Sequence, residues 1–209
     1  MSASKRRHLL CAATATVAAL AASAVPASAG QLVESAAPCA GQALEQPFTP
    51  WLDPASYTLA PDGTMENGAP SWSLQGGAGL TNGNEPFYVH APGETASLAL
   101  PSGSRATSGA MCVAVEHPTL RFFAKRTGGS ALGTLRVDVL YEDVAGSTRS
   151  LSIGTVMNSG RWAPSAPLPV TANLRALLSG GETAVAFRFV PQASSWSIDD
   201  VYVDPFRNN

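Results

Sequence analysis

From residue 56 onward the chain is cut into short β-type runs by turn residues, and this punctuation limits the fold more than any other feature. "SYTLA" runs into Pro61-Asp62-Gly63, "SWSLQ" into Gly76-Gly77, "FYVH" into Ala91-Pro92-Gly93 and "SLALP" into Ser102-Gly103. "MCVAVE", "TLRFFAKR", "TLRVDVLYED", "RSLSIGTV", "TAVAFRFV" and "WSIDDVYV" follow. Short strands at this spacing, with Gly, Pro, Asn and Ser between them, predict an all-β sandwich of antiparallel sheets. Only "TANLRALLSGG" reads as helix, a turn or two stopped by Gly180-Gly181. No repeat or linker divides this stretch, so residues 56–209 are expected to fold as one unit.

The first 29 residues read differently. Lys5, Arg6 and Arg7 form a basic start, "LLCAATATVAALAASAV" is a short apolar run, and Ala27-Ser28-Ala29 is an A-x-A cleavage site, which together make a secretory signal. The mature chain is then expected to begin near Gly30, outside the cell or at its surface. Leu10 is too bulky for lipoprotein processing at Cys11. Arg6-Arg7 followed by Leu9-Leu10 also resembles a twin-arginine signal, so the export route stays open between that and the general one. Cleavage leaves ten basic residues against fifteen acidic ones. That balance attracts neither nucleic acid nor an anionic membrane, and no later apolar run is long enough to span a bilayer.

Residues 30–55 form an extended, poorly patterned lead. Two cysteines remain in the mature chain, Cys39 and Cys112. In an oxidising compartment an isolated pair forms one disulfide, which would tie the lead to a strand in mid-sequence. The alternative is two buried thiols.

Alternation assigns faces. In "TLRFFAKR", Leu120, Phe122 and Ala124 oppose Arg121, Phe123 and Lys125. In "TLRVDVLYED", Leu135, Val137, Val139 and Tyr141 oppose Arg136, Asp138 and Leu140, and in "TAVAFRFV", Val185, Phe187 and Phe189 oppose Ala186 and Arg188. The three strands are expected to share one apolar face and one polar face carrying Arg121, Lys125, Arg136, Asp138 and Arg188. The polar face is either a ligand platform or a solvated sheet face with cross-strand ion pairs.

Enzyme signatures are missing. There is no G-x-S-x-G elbow, no H-E-x-x-H and no Cys/His cluster. Glu142-Asp143 and Asp199-Asp200 are sequence neighbours, which does not establish the separation across a cleft that glycoside hydrolysis requires. Sugar binding instead needs aromatic faces beside planar polar groups. Trp51, Tyr88, Phe123 and Trp162 are candidates, and the loop "TNGNEPFY" gathers Asn82, Asn84, Glu85 and Tyr88, with His90 just beyond. The candidate ligand set is Asn84, Glu85, Tyr88, His90, Arg121, Phe123, Arg136, Asp138 and Arg188.

The order of motifs resembles the galactose-binding-like jelly roll of carbohydrate-binding modules. "DGTMENGAPSW" (62–72) is similar to their opening, "GETASLALP" (93–101) to their next core strand, "PTLRFFAKRTG" (118–128) to their long central strand and "WSIDDV" (196–201) to their closing strand. The match covers roughly residues 56–204. The chain also resembles a group of exported actinobacterial proteins ending in "IDDVYVDP". The resemblance implies a jelly-roll β-sandwich and a structural Ca²⁺ held by a glutamate near the start and an aspartate of the last strand, positions matched by Glu66 and by Asp199 beside Asp200. Hard oxygen donors suit Ca²⁺. The alternative is that the two aspartates cap loop amides or pair with Arg188 or Arg207. Met65 departs from the modules, which prefer an aromatic residue there. Three readings follow: a non-catalytic exported module binding a glycan of the cell envelope or surroundings, a structural or adhesive envelope protein, and a small hydrolase.

Overall fold

Every named strand pairs antiparallel, and two long strands hold the array together. The computed structural model describes residue 32 and residues 35–143, 145–172 and 181–204. The signal segment, Arg207 and most of the expected helical turn lie outside the described residues. The strands are β1 (Thr58–Leu59), β2 (Ser73–Gln75), β3 (Gly79–Asn82), β4 (Ala96–Leu100), β5 (Arg105–Thr107), β6 (Met111–Ala114), β7 (Thr119–Glu142), β8 (Thr148–Val156), β9 (Ala163–Pro164), β10 (Leu168–Pro169) and β11 (Glu182–Asp204). One 3₁₀ turn, Thr49–Trp51, precedes them. The fold is an all-β jelly-roll sandwich.

β7 and β11 run alongside each other for almost their whole length, from Val185 opposite Tyr141 to Asp204 opposite Thr119. The register slips near Gly128 and Gly129, where they meet Ser195 and Ser194. A Cβ on Gly129 would stand 2.6 Å from the Ser194 Cα, so the two backbones cross there only because that position has no side chain. The slip splits the array into two layers. The front layer holds the first half of β7 and the second half of β11, flanked by β1, β3, β4, β9 and β10. The back layer holds the other halves, flanked by β2, β5, β6 and β8.

The layers face each other across one core. Leu120, Phe122 and Ala124 from the front and Leu135, Val137, Val139, Phe187 and Phe189 from the back belong to the same buried cluster. Phe122 meets Phe189 edge to face at 5.1 Å, and Trp72 stacks on Phe189 at 5.7 Å. Burying each such ring stabilises the sandwich by roughly 1.5–3 kcal/mol.

This arrangement corrects the shared polar face. Arg121 and Lys125 lie on the outside of the front layer, whereas Arg136, Asp138 and Arg188 lie on the outside of the back layer. β7 and β11 each pass from one layer to the other at the slip, so what reads as one polar face in the sequence becomes the two opposite outer faces of the sandwich.

The lead covers the front layer. Phe48, Tyr57, Phe123 and Tyr202 form a second buried cluster, with Trp51, Leu59, Val89 and Trp162 packed against it. The Phe48 ring stacks on Phe123 at 5.5 Å. Cys39 and Cys112 form a disulfide, and Ala37 bridges to Met111 beside it.

Candidate functional site

Two features of the front layer carry chemistry: the acidic end of β11, and an aromatic ledge on the loop before β4.

Asp199 and Asp200 are both buried, at 0% and 1% exposure. Regular alternation would send adjacent side chains to opposite faces. A bulge removes the conflict: Asp199 opposes Phe123 and Tyr202 opposes Arg121, so β11 carries one residue more than β7 between these pairs. Asp200 absorbs the extra residue with a left-handed φ of 49°, a conformation that aspartate tolerates better than most residues. The 60–63 turn holds the bulge, the Val201 N–H donating to Gly63 O and the Ala60 N–H to Val201 O. A Cβ on Gly63 would fall 2.8 Å from Val201 O.

The two carboxylates are held differently. Asp199 accepts the backbone N–H groups of Glu85 and Asp200, each at 3.0 Å. Neither carboxylate oxygen of Asp200 has a hydrogen-bond partner. Burial raises Asp200 to about 9, and the charges of Asp199, Glu94, Glu85 and Glu45 push the same way. Burial likewise raises Asp199 to about 8, against the lowering effect of its two N–H donors. Glu94 is also raised, first by burial and then by Glu66 and Glu85 among its neighbours, against the Ala91 N–H and His90. Glu66 accepts the N–H groups of Thr95 at 2.8 Å and Ala96 at 2.6 Å, fastening the 62–72 segment to β4.

Asp199 thus acts as a loop cap, and Asp200 is the group left without compensation. A buried carboxylate with both oxygens unpartnered fits a cation or a proton and little else. The acids whose charges reach it, Asp199, Glu94, Glu85 and Glu45, offer hard oxygen donors of the kind that suit Ca²⁺. Among the described residues, no three of these acids have oxygens within 4.8 Å of one another. The one group of three metal-binding side chains that close is Cys39, Cys112 and Glu182, where both sulfurs are in the disulfide.

The ledge lies nearby. Glu85 is fully buried and accepts the N–H groups of Phe87 at 2.5 Å and Val89 at 2.9 Å. It therefore shapes the loop from within and presents nothing outward. Asn84 turns inward too, donating to Glu85 O. The loop pushes out Phe87 and Tyr88, which are 45% and 48% exposed. Tyr88 adopts a left-handed φ of 50°. Trp51 meets Phe87 edge to face at 4.8 Å, and a groove of about 550 Å³ runs beside them past Pro47, Pro50 and Val89.

The other candidates are dispersed. Phe123 is fully buried beneath Phe48 and Trp51, and cannot meet a ligand. Arg121 is buried as well; it pairs with Asp53, donates to Ser165 O and lies 4.3 Å over the Phe48 ring. Asp53 is lowered even though burial opposes this, because Tyr57, the Ala55 N–H and Arg121 all donate to it. His90 Nδ1 is 3.2 Å from both Glu45 Oε2 and the Tyr202 hydroxyl. Arg136 and Arg188 flank the buried Asp138 on the back layer. Phe87 and Glu94 escaped the sequence reading, although both lie in segments that drew attention, "TNGNEPFY" and "GETASLALP". An acid immediately before a strand was the available signal for Glu94.

No protein-family model matches the chain, and no curated protein matches its sequence. Several solved structures are similar. The CBM22-1 and GH10 modules of Clostridium thermocellum endo-1,4-beta-D-xylanase 10B, complexed with xylohexaose, align with 70% of this chain at 17% identity and a TM-score of 0.45, and the chain spans 28% of that protein. The CBM22-1 xylan-binding domain of Paenibacillus barcinonensis Xyn10C aligns with 70% of this chain and 94% of its own length, at 12% identity and a TM-score of 0.42. The enzymatically active domain of bacteriophage CBA120 tailspike protein 4 aligns with 70% of this chain and 21% of its own, at 19% identity and a TM-score of 0.42.

Proposed function

We propose that the protein is an exported, non-catalytic sandwich module that binds glycan on the ledge of Trp51, Phe87 and Tyr88, with Ca²⁺ locking the end of β11. The observation that carries the glycan reading is the pair of exposed rings on a loop fastened from inside by Glu85. Sugar rings dock their C–H faces on aromatic side chains, and a ledge that is already ordered loses little entropy on binding. Asp200 and Glu94 would hold the ion, which supplies the positive charge that their buried carboxylates lack.

The test uses neutral β-1,4-linked oligosaccharides and the quenching of Trp51 fluorescence. Tyr88→Gly removes an exposed ring and relieves a left-handed backbone that glycine adopts without strain. Affinity should fall at least tenfold while the melting temperature holds or rises. Equal affinity of this variant and the native chain would refute the ledge. A glycan array silent for the native chain would point to the structural or adhesive role instead.

A further inference from the structure

The outer face of the back layer holds a second recess, of about 200 Å³, lined by Ser104, Arg105, Arg136 and Arg188. The strand ladder explains the grouping. Arg188 on β11 opposes Asp138 on β7, Arg136 precedes Asp138 by two residues and so shares its face, and Arg105 enters from β5 on the other side of β11. Asp138 is buried and pairs with both neighbours: Arg188 Nη2 lies 2.9 Å from Oδ2, and Arg136 Nε 3.0 Å from Oδ1. Three guanidinium groups therefore face one carboxylate, an excess of two positive charges in a chain whose net charge is −2.

Two further observations point to a missing acceptor. Arg136 donates to Asp138 Oδ2 through Nη2 at 3.3 Å, but its buried Nε–H, though close to Oδ1, forms no hydrogen bond. Ser104 is 2% exposed, and its hydroxyl has no partner. Arg105 is exposed and pairs with no acid among the described residues. Unsatisfied donors of this kind, beside guanidinium groups that outnumber their one carboxylate, call for an oxyanion.

We propose that this recess binds the carboxylate of an acidic sugar within a polysaccharide. The surroundings favour a sugar over other carriers of the group. The ladder sets Ser73 beside Thr107 on one flank, and Ser152 and Thr155 beside Asp138 and Arg136 on the other, an open surface of hydroxyls suited to a hydroxyl-rich ligand. The acidic chain as a whole gives no long-range field to gather a polyanion, so recognition is made at contact range. The recess lies on the face opposite the aromatic ledge and does not depend on it.

The experiment measures binding of oligogalacturonate to the full chain by calorimetry, with its methyl ester as the uncharged twin and inorganic sulfate as a free anion. The acid should bind at least tenfold more tightly than the ester, and sulfate should bind more weakly than the acid. Arg105→Ala should remove this preference by about tenfold or more, the effect of losing one charge-assisted contact. Among the described residues no side chain is ion-paired to Arg105, so the variant should fold normally, and Tyr88→Gly should leave the preference intact. Equal binding of acid and ester, or an Arg105→Ala variant as selective as the native chain, would overturn the proposal. Sulfate binding more tightly than the sugar acid would overturn it in favour of a site for a free inorganic anion.

Discussion

Asp200 shows how one side chain can make stability depend on both protons and metal. Asp199 and Asp200 titrate near 8 and 9 in the folded protein, against ~3.9 for an unperturbed aspartate. The native state therefore keeps protons that the unfolded chain gives up above about pH 4. Their contribution is complete below that pH and is lost as pH rises through 8 and 9. Asp53, which is lowered, acts in the opposite direction and loses its contribution as pH falls through its folded value. Without metal, the protein should melt higher at pH 5 than at pH 8. Ca²⁺ bound at Asp200 would offset part of this loss at pH 8, adding about 2.7 kcal/mol at a hundredfold excess over Kd, a shift of several degrees. Asp200→Asn keeps the left-handed geometry and removes the charge. In EDTA it should raise the melting temperature at pH 8, flatten the pH slope and abolish the Ca²⁺ response. Native melting curves that coincide in EDTA and in millimolar Ca²⁺ would show that a proton alone compensates Asp200.

At the level of elements, the lead is a third layer rather than a tether. Phe48 fills the space above Phe123 and Tyr202, and Arg121 reaches over its ring to Asp53. Phe48→Ala should cost about 3–5 kcal/mol, because it opens a cavity in a fully buried cluster. The central core should be spared, so thermal unfolding should stay cooperative at a lower temperature. A loss below about 1 kcal/mol would mean that the lead is held elsewhere. The Trp51 ring rests on the same cluster, 5.2 Å from Phe123, so the ledge inherits its position from this packing.

For the molecule as a whole, the disulfide joins the lead to the back layer across 73 residues. Closing a loop of that length restricts the unfolded chain and contributes about 4 kcal/mol in the chain-entropy model. Replacing Cys39 and Cys112 with serine together should lower stability by up to that amount in urea titrations, with little change in the folded fluorescence spectrum. An unchanged midpoint would remove the disulfide from the list of stabilising features. "FYVH" reads as a strand but is loop in the structure, because Glu85 ties the Phe87 and Val89 N–H groups. Most other strands, the sandwich, the inward residues of β7 and of the first half of β11, and the cysteine pairing were legible in the sequence. Each of these follows from local alternation, turn chemistry or a count of two. Which polar residues remain available to a ligand depends on contacts between distant segments. Arg121 and Phe123 alternate outward as Arg136 and Arg188 do, yet the lead buries the first pair and leaves the second partly open. The passage between layers at Gly129 and the bulge at Asp200 decided the rest. A one-residue slip reverses every side chain beyond it, and its position depends on how two strands far apart in sequence meet.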